Sequence, residues 1–180
     1  MIQQGFGEST ALVIVDMLND FVLEGAPLRV EAAQQLIPAI SRGRDAARRA
    51  GSPVFYLCDA HRPDDPEFQA WPRHAVAGTP GAQVIDQLRP AEEDVVIRKR
   101  RFSGFFGTDL DLHLRERRIG RLVICGVLTD ICVYHTAADA AQLAYRVAVA
   151  TNATAAATSE QHAFALKQMV RLFGAQMLEL

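Results

Sequence analysis

Short apolar runs rich in β-branched residues alternate with helix-prone stretches along this chain, and no other feature constrains its fold so strongly. The runs fall at residues 11–15, 53–57, 94–97, 121–124 and 146–149, with a sixth candidate at 175–178. Apolar runs of four or five residues without polar alternation suit strands buried on both faces. Between them, 31–50 is helix-prone, with Pro38 marking a kink or a later start. Residues 109–117 read as a short helix and 133–145 as an alanine-rich one. After Thr158 the signals are denser. Thr158 and Gln161 have capping-box spacing, Ala163, Leu166, Val170 and Phe173 form an apolar stripe, and Gly174 can end the helix. This order of elements predicts an α/β fold, a parallel sheet with helices on both faces. In such sheets the chemistry gathers at the carboxyl ends of the strands.

No low-complexity tract or linker divides the 180 residues, so a single domain over 1–180 is expected, with 1–10 as an N-terminal extension. A net charge of −2 and a lone cationic cluster at 98–101 argue against a nucleic-acid partner. No apolar run approaches membrane-span length, and the first ten residues lack the charged and apolar regions of a secretion signal. Three cysteines are an odd number for a disulfide framework, which points to a reducing, cytoplasmic setting.

Cys132 lies between the apolar run ending at Val127 and the alanine-rich helix. A thiol at a strand-to-helix turn meets unpaired N–H groups that favour thiolate and can hold an oxyanion. A buried structural cysteine is the alternative, and Cys58 and Cys125 read that way. Asp16 directly follows the first run, where poor solvation raises a carboxyl pKa and suits a general base. A turn or helix-capping aspartate and a phosphoryl acceptor remain open there. Lys99 follows the third run and could steady such a carboxylate, although its neighbours Arg98, Arg100 and Arg101 prevent a choice by chemistry alone. Asp59 and His61 follow the second run, with Glu67 and His74 further along the same Pro-rich loop. One carboxylate and two imidazoles suit a divalent transition metal, with Glu67 as a fourth ligand. His135 and His162 read as helix-face residues, and His113 as a surface residue.

Assembled, these motifs resemble the cysteine hydrolases of the isochorismatase-like superfamily, and within it the nicotinamidase/pyrazinamidase family. The resemblance runs from Ala11 to Gly174. It rests on Asp16 with Phe21, Asp59 with His61, the segments 71–74 (WPRH) and 78–81 (GTPG), Lys99 before 102–105 (FSGF), and 107–110 (GTDL). The segments 125–133 (CGVLTDICV) and 136–140 (TAADA) complete it.

The resemblance implies a six-stranded parallel sheet and an Asp16–Lys99–Cys132 triad, with Lys99 chosen over its arginine neighbours. It implies a zinc or iron site on Asp59, His61 and His74, with Glu67 as the fourth ligand. It also implies an oxyanion site on the backbone of Leu128 and Cys132 beside a cis Val127–Leu128 peptide. Phe21, Trp71 and Phe102 are the expected ring walls. The implied reaction is hydrolysis of a small amide, nicotinamide to nicotinate and ammonia, through a thioester. Relatives that cleave isochorismate lack the nucleophilic cysteine, so Cys132 argues against that activity. A carbamoyl or ureido amidase and a non-catalytic binding protein are the competing readings, and a homo-oligomer is compatible with either.

Overall fold

The computed structural model describes residues 5–180. Six strands form an all-parallel sheet: β1 (Thr10–Val15), β2 (Val54–Asp59), β3 (Val95–Lys99), β4 (Arg121–Val127), β5 (Arg146–Ala155) and β6 (Gln176–Leu178). Their order is β3-β2-β1-β4-β5-β6. The helices are α1 (Asn19–Val22), α2 (Ala33–Arg49), α3 (Leu110–Glu116), α4 (Tyr134–Gln142) and α5 (Ser159–Phe173).

Side chains alternate across each strand, which sorts the apolar residues into two cores. Leu12, Ile14, Tyr56, Val123 and Cys125 face Leu36, Ile40 and Ala47 of α2. On the opposite face Val13, Val15, Phe55, Leu57, Leu122 and Ile124 join Leu110, Leu114, Ala137, Ala140, Ala165 and Met169, carried by α3, α4 and α5. With helices over both faces, all six residues of β1 are buried, which explains its unbroken apolar run.

The chain builds outward from β1 to β3, then returns to add β4 on the other side of β1. Connections leaving β1 and β4 therefore diverge, and the crevice between their carboxyl ends is where ligands bind in open sheets of this kind.

Three expectations need correction. β5 runs to Ala155, well past residue 149, because Gly126 and Val127 of β4 pair with Thr154 and Ala155 after a register shift. On α5 the inward residues are Ala165, Leu166, Met169 and Phe173, whereas Ala163 and Val170 face solvent. Both sets have helical spacing, and docking against the sheet selects between them. α2 passes through Pro38. The missing N–H lies just beyond the first turn, so it removes a single helical hydrogen bond. Of the expected N-terminal extension, the first four residues lie outside the described residues. Gly7 is tied down by Ser52 Oγ, which accepts from its N–H at 2.8 Å and donates to its carbonyl at 2.9 Å.

Candidate active site

Three strand ends deliver the ionisable cluster. Asp16 follows β1 with φ of 49°, a left-handed conformation costly for a residue with a Cβ. Two hydrogen bonds to β2 secure it: its N–H donates to Leu57 O at 2.9 Å, and its Oδ1 accepts from Asp59 N at 2.8 Å. Asp59 and Lys99 are the last residues of β2 and β3 and are register partners in the ladder. Cys132 belongs to a π-helical turn, Thr129–Val133, between β4 and α4. Lys99 Nζ stands 2.5 Å from Asp59 Oδ1, 2.8 Å from Asp16 Oδ2 and 3.5 Å from Cys132 Sγ. All four side chains are buried. The Asp16 Oδ2 contact lies outside hydrogen-bond geometry, leaving that oxygen an unused acceptor beside the thiol.

The electrostatics oppose the thiolate that a strand-to-helix turn is expected to favour. Burial pushes the Cys132 thiol well above its ordinary pKa, and Lys99 only partly opposes this. Burial, reinforced by the Asp59 charge, raises Asp16 to about 6 despite Lys99. Burial disfavours the Lys99 cation, but Asp16 and Asp59 outweigh it and hold the ammonium charged. Near neutrality the cluster therefore pairs an ionised Asp16 with a protonated thiol. This is a base and a proton to take.

Asp59 also faces the other way. Its Oδ2 lies 3.6 Å from His61 Nε2 and 4.0 Å from His74 Nε2. Neighbouring ligands around a tetrahedral zinc stand roughly 3.3 Å apart, so the trio needs only small movements to close on an ion. His61 is fully buried, and both its ring nitrogens lack a hydrogen-bond partner, a costly arrangement that a metal on Nε2 would relieve at that atom. His74 Nδ1 lies 2.7 Å from Pro72 O, which fixes the proton on Nδ1 and leaves Nε2 free to coordinate. These residues fit a divalent metal. Glu67 Oε1 approaches His61 Nε2 at 3.8 Å, while its Oε2 lies 3.6 Å from Arg101 Nη1.

Phe21, Trp71, Phe102 and Leu128 surround a cleft that opens on Cys132, Asp59 and His74. Its volume is about 30 Å³ in this conformation, and Trp71 and Phe102 are the half-buried members of its wall. The Val127–Leu128 peptide at its floor is cis. A larger cavity of about 510 Å³, with Val96 and Arg98 in its wall, lies beside Asp59 but does not reach Cys132. Chemistry rather than size selects between the two. Cys58 and Cys125 sit in strands, where burial raises both thiols, and Cys125 Sγ rests 3.6 Å from Val13 O.

Two features escaped the sequence reading. Asp65 is buried between His61 Nδ1 at 3.6 Å, Arg100 Nη2 at 2.9 Å and Arg101 Nη1 at 3.1 Å, and it caps the 3-10 turn Pro66–Gln69 through Glu67 N. An aspartate before Pro-Glu is an N-cap signal that could have marked it. His162 lies on α5 as expected, but its ring also bonds Thr129 of the turn that carries Cys132, at 2.9 Å. No local pattern could reveal a partner 33 residues away.

A family model described as the isochorismatase domain matches residues 10–179. The N-carbamoylsarcosine amidase of Thermoplasma acidophilum is 40% identical, with a TM-score of 0.87 over 94% of this chain and 95% of that one. Nicotinamidase PncA from Bacillus subtilis is 36% identical, with a TM-score of 0.90 over 95% and 99%. A pyrazinamidase of Pyrococcus horikoshii, solved in complex with zinc, is 31% identical, with a TM-score of 0.89 over 96% and 99%. With its six-stranded parallel sheet and this coverage by the family model, the chain belongs to the isochorismatase-like hydrolase family.

Proposed function

We propose that the protein is a metal-dependent nicotinamidase, hydrolysing nicotinamide to nicotinate and ammonia through a thioester on Cys132. The observation that carries this reading is the double engagement of Asp59, which touches Lys99 with one oxygen and faces His61 and His74 with the other. An amide-cleaving thiol and a metal able to grip a heterocycle would thus share one rigid carboxylate.

Asp16 takes the Sγ proton as sulfur attacks the carboxamide carbon. The C–S bond forms, and the carbonyl electrons move onto oxygen, which the N–H groups of Leu128 and Cys132 stabilise. As the carbonyl re-forms, the C–N bond breaks and Asp16 passes its proton to the departing ammonia. Water then attacks the thioester and yields a proton to Asp16. The C–S bond breaks, Cys132 recovers that proton, and nicotinate leaves. Lys99 keeps Asp16 ionised before the first step and steadies charge afterwards. Asp59, His61 and His74, with Glu67 as fourth ligand, would hold zinc or iron. Such an ion supplies a Lewis-acid site for the pyridine nitrogen. Phe21, Trp71 and Phe102 flank the ring.

A second reading has a specific observation behind it. The 40% identity to an N-carbamoylsarcosine amidase exceeds the 36% identity to a nicotinamidase at matching coverage. A carbamoyl amidase would use the same thiol and base without needing a heterocycle-binding metal. Ammonia release from nicotinamide, benzamide and N-carbamoylsarcosine, with and without chelation, separates the two. Chelation and His61→Ala should each cost nicotinamide at least about tenfold more than benzamide, which lacks the ring nitrogen. Metal-independent nicotinamide turnover, or faster release from the carbamoyl substrate, would reject the nicotinamidase reading.

A further inference from the structure

Behind the nucleophile turn, four polar groups form a line. His162 Nδ1 lies 2.9 Å from Thr129 Oγ1, and Thr129 Oγ1 lies 3.0 Å from Thr154 Oγ1. Thr154 Oγ1 in turn donates to Gly126 O at 2.7 Å. Thr129 and Thr154 are buried, and His162 is half-buried on α5.

The direction of the chain follows from its last member. A carbonyl oxygen only accepts, so the Thr154 hydroxyl proton is spent on Gly126 O. Thr154 Oγ1 must then accept from Thr129, whose own proton is spent in turn. Thr129 Oγ1 must accept from His162, which requires a proton on Nδ1. The line therefore reads His162 Nδ1–H to Thr129 to Thr154 to Gly126 O, every donor used once. It ends on a carbonyl that cannot take up a proton, so it holds geometry and moves no charge.

What it holds is the segment that carries the proposed oxyanion site. Gly126 has φ of 102°, and a Cβ there would collide with the backbone O and N of Val15, directly before Asp16. Two residues later comes Leu128, whose carbonyl accepts from Ile131 N and Val133 N at 3.1 Å, closing the turn around Cys132. The relay grips this segment at both ends, by the Gly126 carbonyl and by the Thr129 side chain. Its third anchor, Thr154, is brought opposite Gly126 by the register shift that lets five residues of β5 pass two of β4.

We infer that His162, Thr129 and Thr154 are positioning residues that fix the nucleophile and oxyanion turn from α5 and β5. The inference rests on the proposed thioester chemistry at Cys132. A fixed turn matters more as the oxyanion forms than while substrate binds, since misplacement of about 1 Å can cost 100-fold in rate.

Thr129→Val keeps the shape and deletes the hydroxyl, and His162→Leu removes the donor. Each should lower kcat about 10-fold to 100-fold with KM within threefold. Thr129→Ser and His162→Asn restore a hydroxyl and an amide N–H near the native donor positions, and each should recover kcat to within threefold of the unaltered protein. If Thr129→Val does not fold, the His162 pair carries the same comparison from a partly exposed site. Unchanged kcat in His162→Leu, or no recovery in His162→Asn, would overturn the role. Amide hydrogen exchange of residues 126–133 needs no substrate and separates this question from the choice of reaction. Exchange there should accelerate at least tenfold in His162→Leu and return in His162→Asn, and unaltered exchange would overturn the inference even if nicotinamide is hydrolysed.

Discussion

At the residue scale, the three cysteines differ in what surrounds them. Cys132 has an ammonium at 3.5 Å and the carboxylates of Asp16 and Asp59 within the same cluster, whereas Cys58 and Cys125 lie in strands. Cys132→Ala should therefore reduce ammonia release at least about 10⁴-fold with an unchanged circular dichroism spectrum, while Cys125→Ala should remain active. The opposite result would reassign the nucleophile. Asp16→Asn preserves shape and removes the ability to accept a proton, at a cost of about 10²–10⁴-fold in kcat. Combining it with Cys132→Ala should add little, because groups acting in one step are non-additive. Losses that add in log rate would disprove the base role. The general-base candidacy of Asp16 was legible in the chain because its position after an apolar run implies desolvation. The state of the thiol was not, because the expected helix N-terminus is a short π-helical turn and burial outweighs it.

At the element scale, the space beside the backbone divides two glycines. Gly126 and Gly174 both have positive φ, but only Gly126 has backbone where a Cβ would go. Gly126→Ala should destabilise the fold by about 2–4 kcal/mol, combining strain with overpacking. Gly174→Ala, at an open helix end, should cost about 1 kcal/mol. Urea unfolding of the two variants checks the order, and equal losses would mean that the contact with Val15 relaxes. The cap at Gly174 could be read from sequence because its signal is local: an apolar stripe ending before a glycine. The length of β5 could not, since it is set by pairing of Ala150 with Leu178 of β6 and of Thr154 and Ala155 with Gly126 and Val127 of β4.

Across the whole molecule, the cluster joins three neighbouring strands. Asp16 directly after β1, and Asp59 and Lys99 at the ends of β2 and β3, meet in a buried site where one cation answers two carboxylates. Lys99→Met should abolish activity and destabilise the protein by about 3–5 kcal/mol, since it strands uncompensated buried charge. Calorimetry should register a fall in Tm of about 10 °C, and a Tm within 2 °C of the unaltered protein would count against the pairing. Sequence alone determined the strand–helix alternation, the parallel sheet and the concentration of polar chemistry at strand ends, because those features follow from local periodicity and burial. Tertiary structure alone decided that Asp59 serves Lys99 and the histidines together, that Asp65 is buried between His61 and two arginines, and that His162 reaches Thr129. Each of those depends on strand register or on the docking of α5, and both bring together residues that the linear order keeps apart.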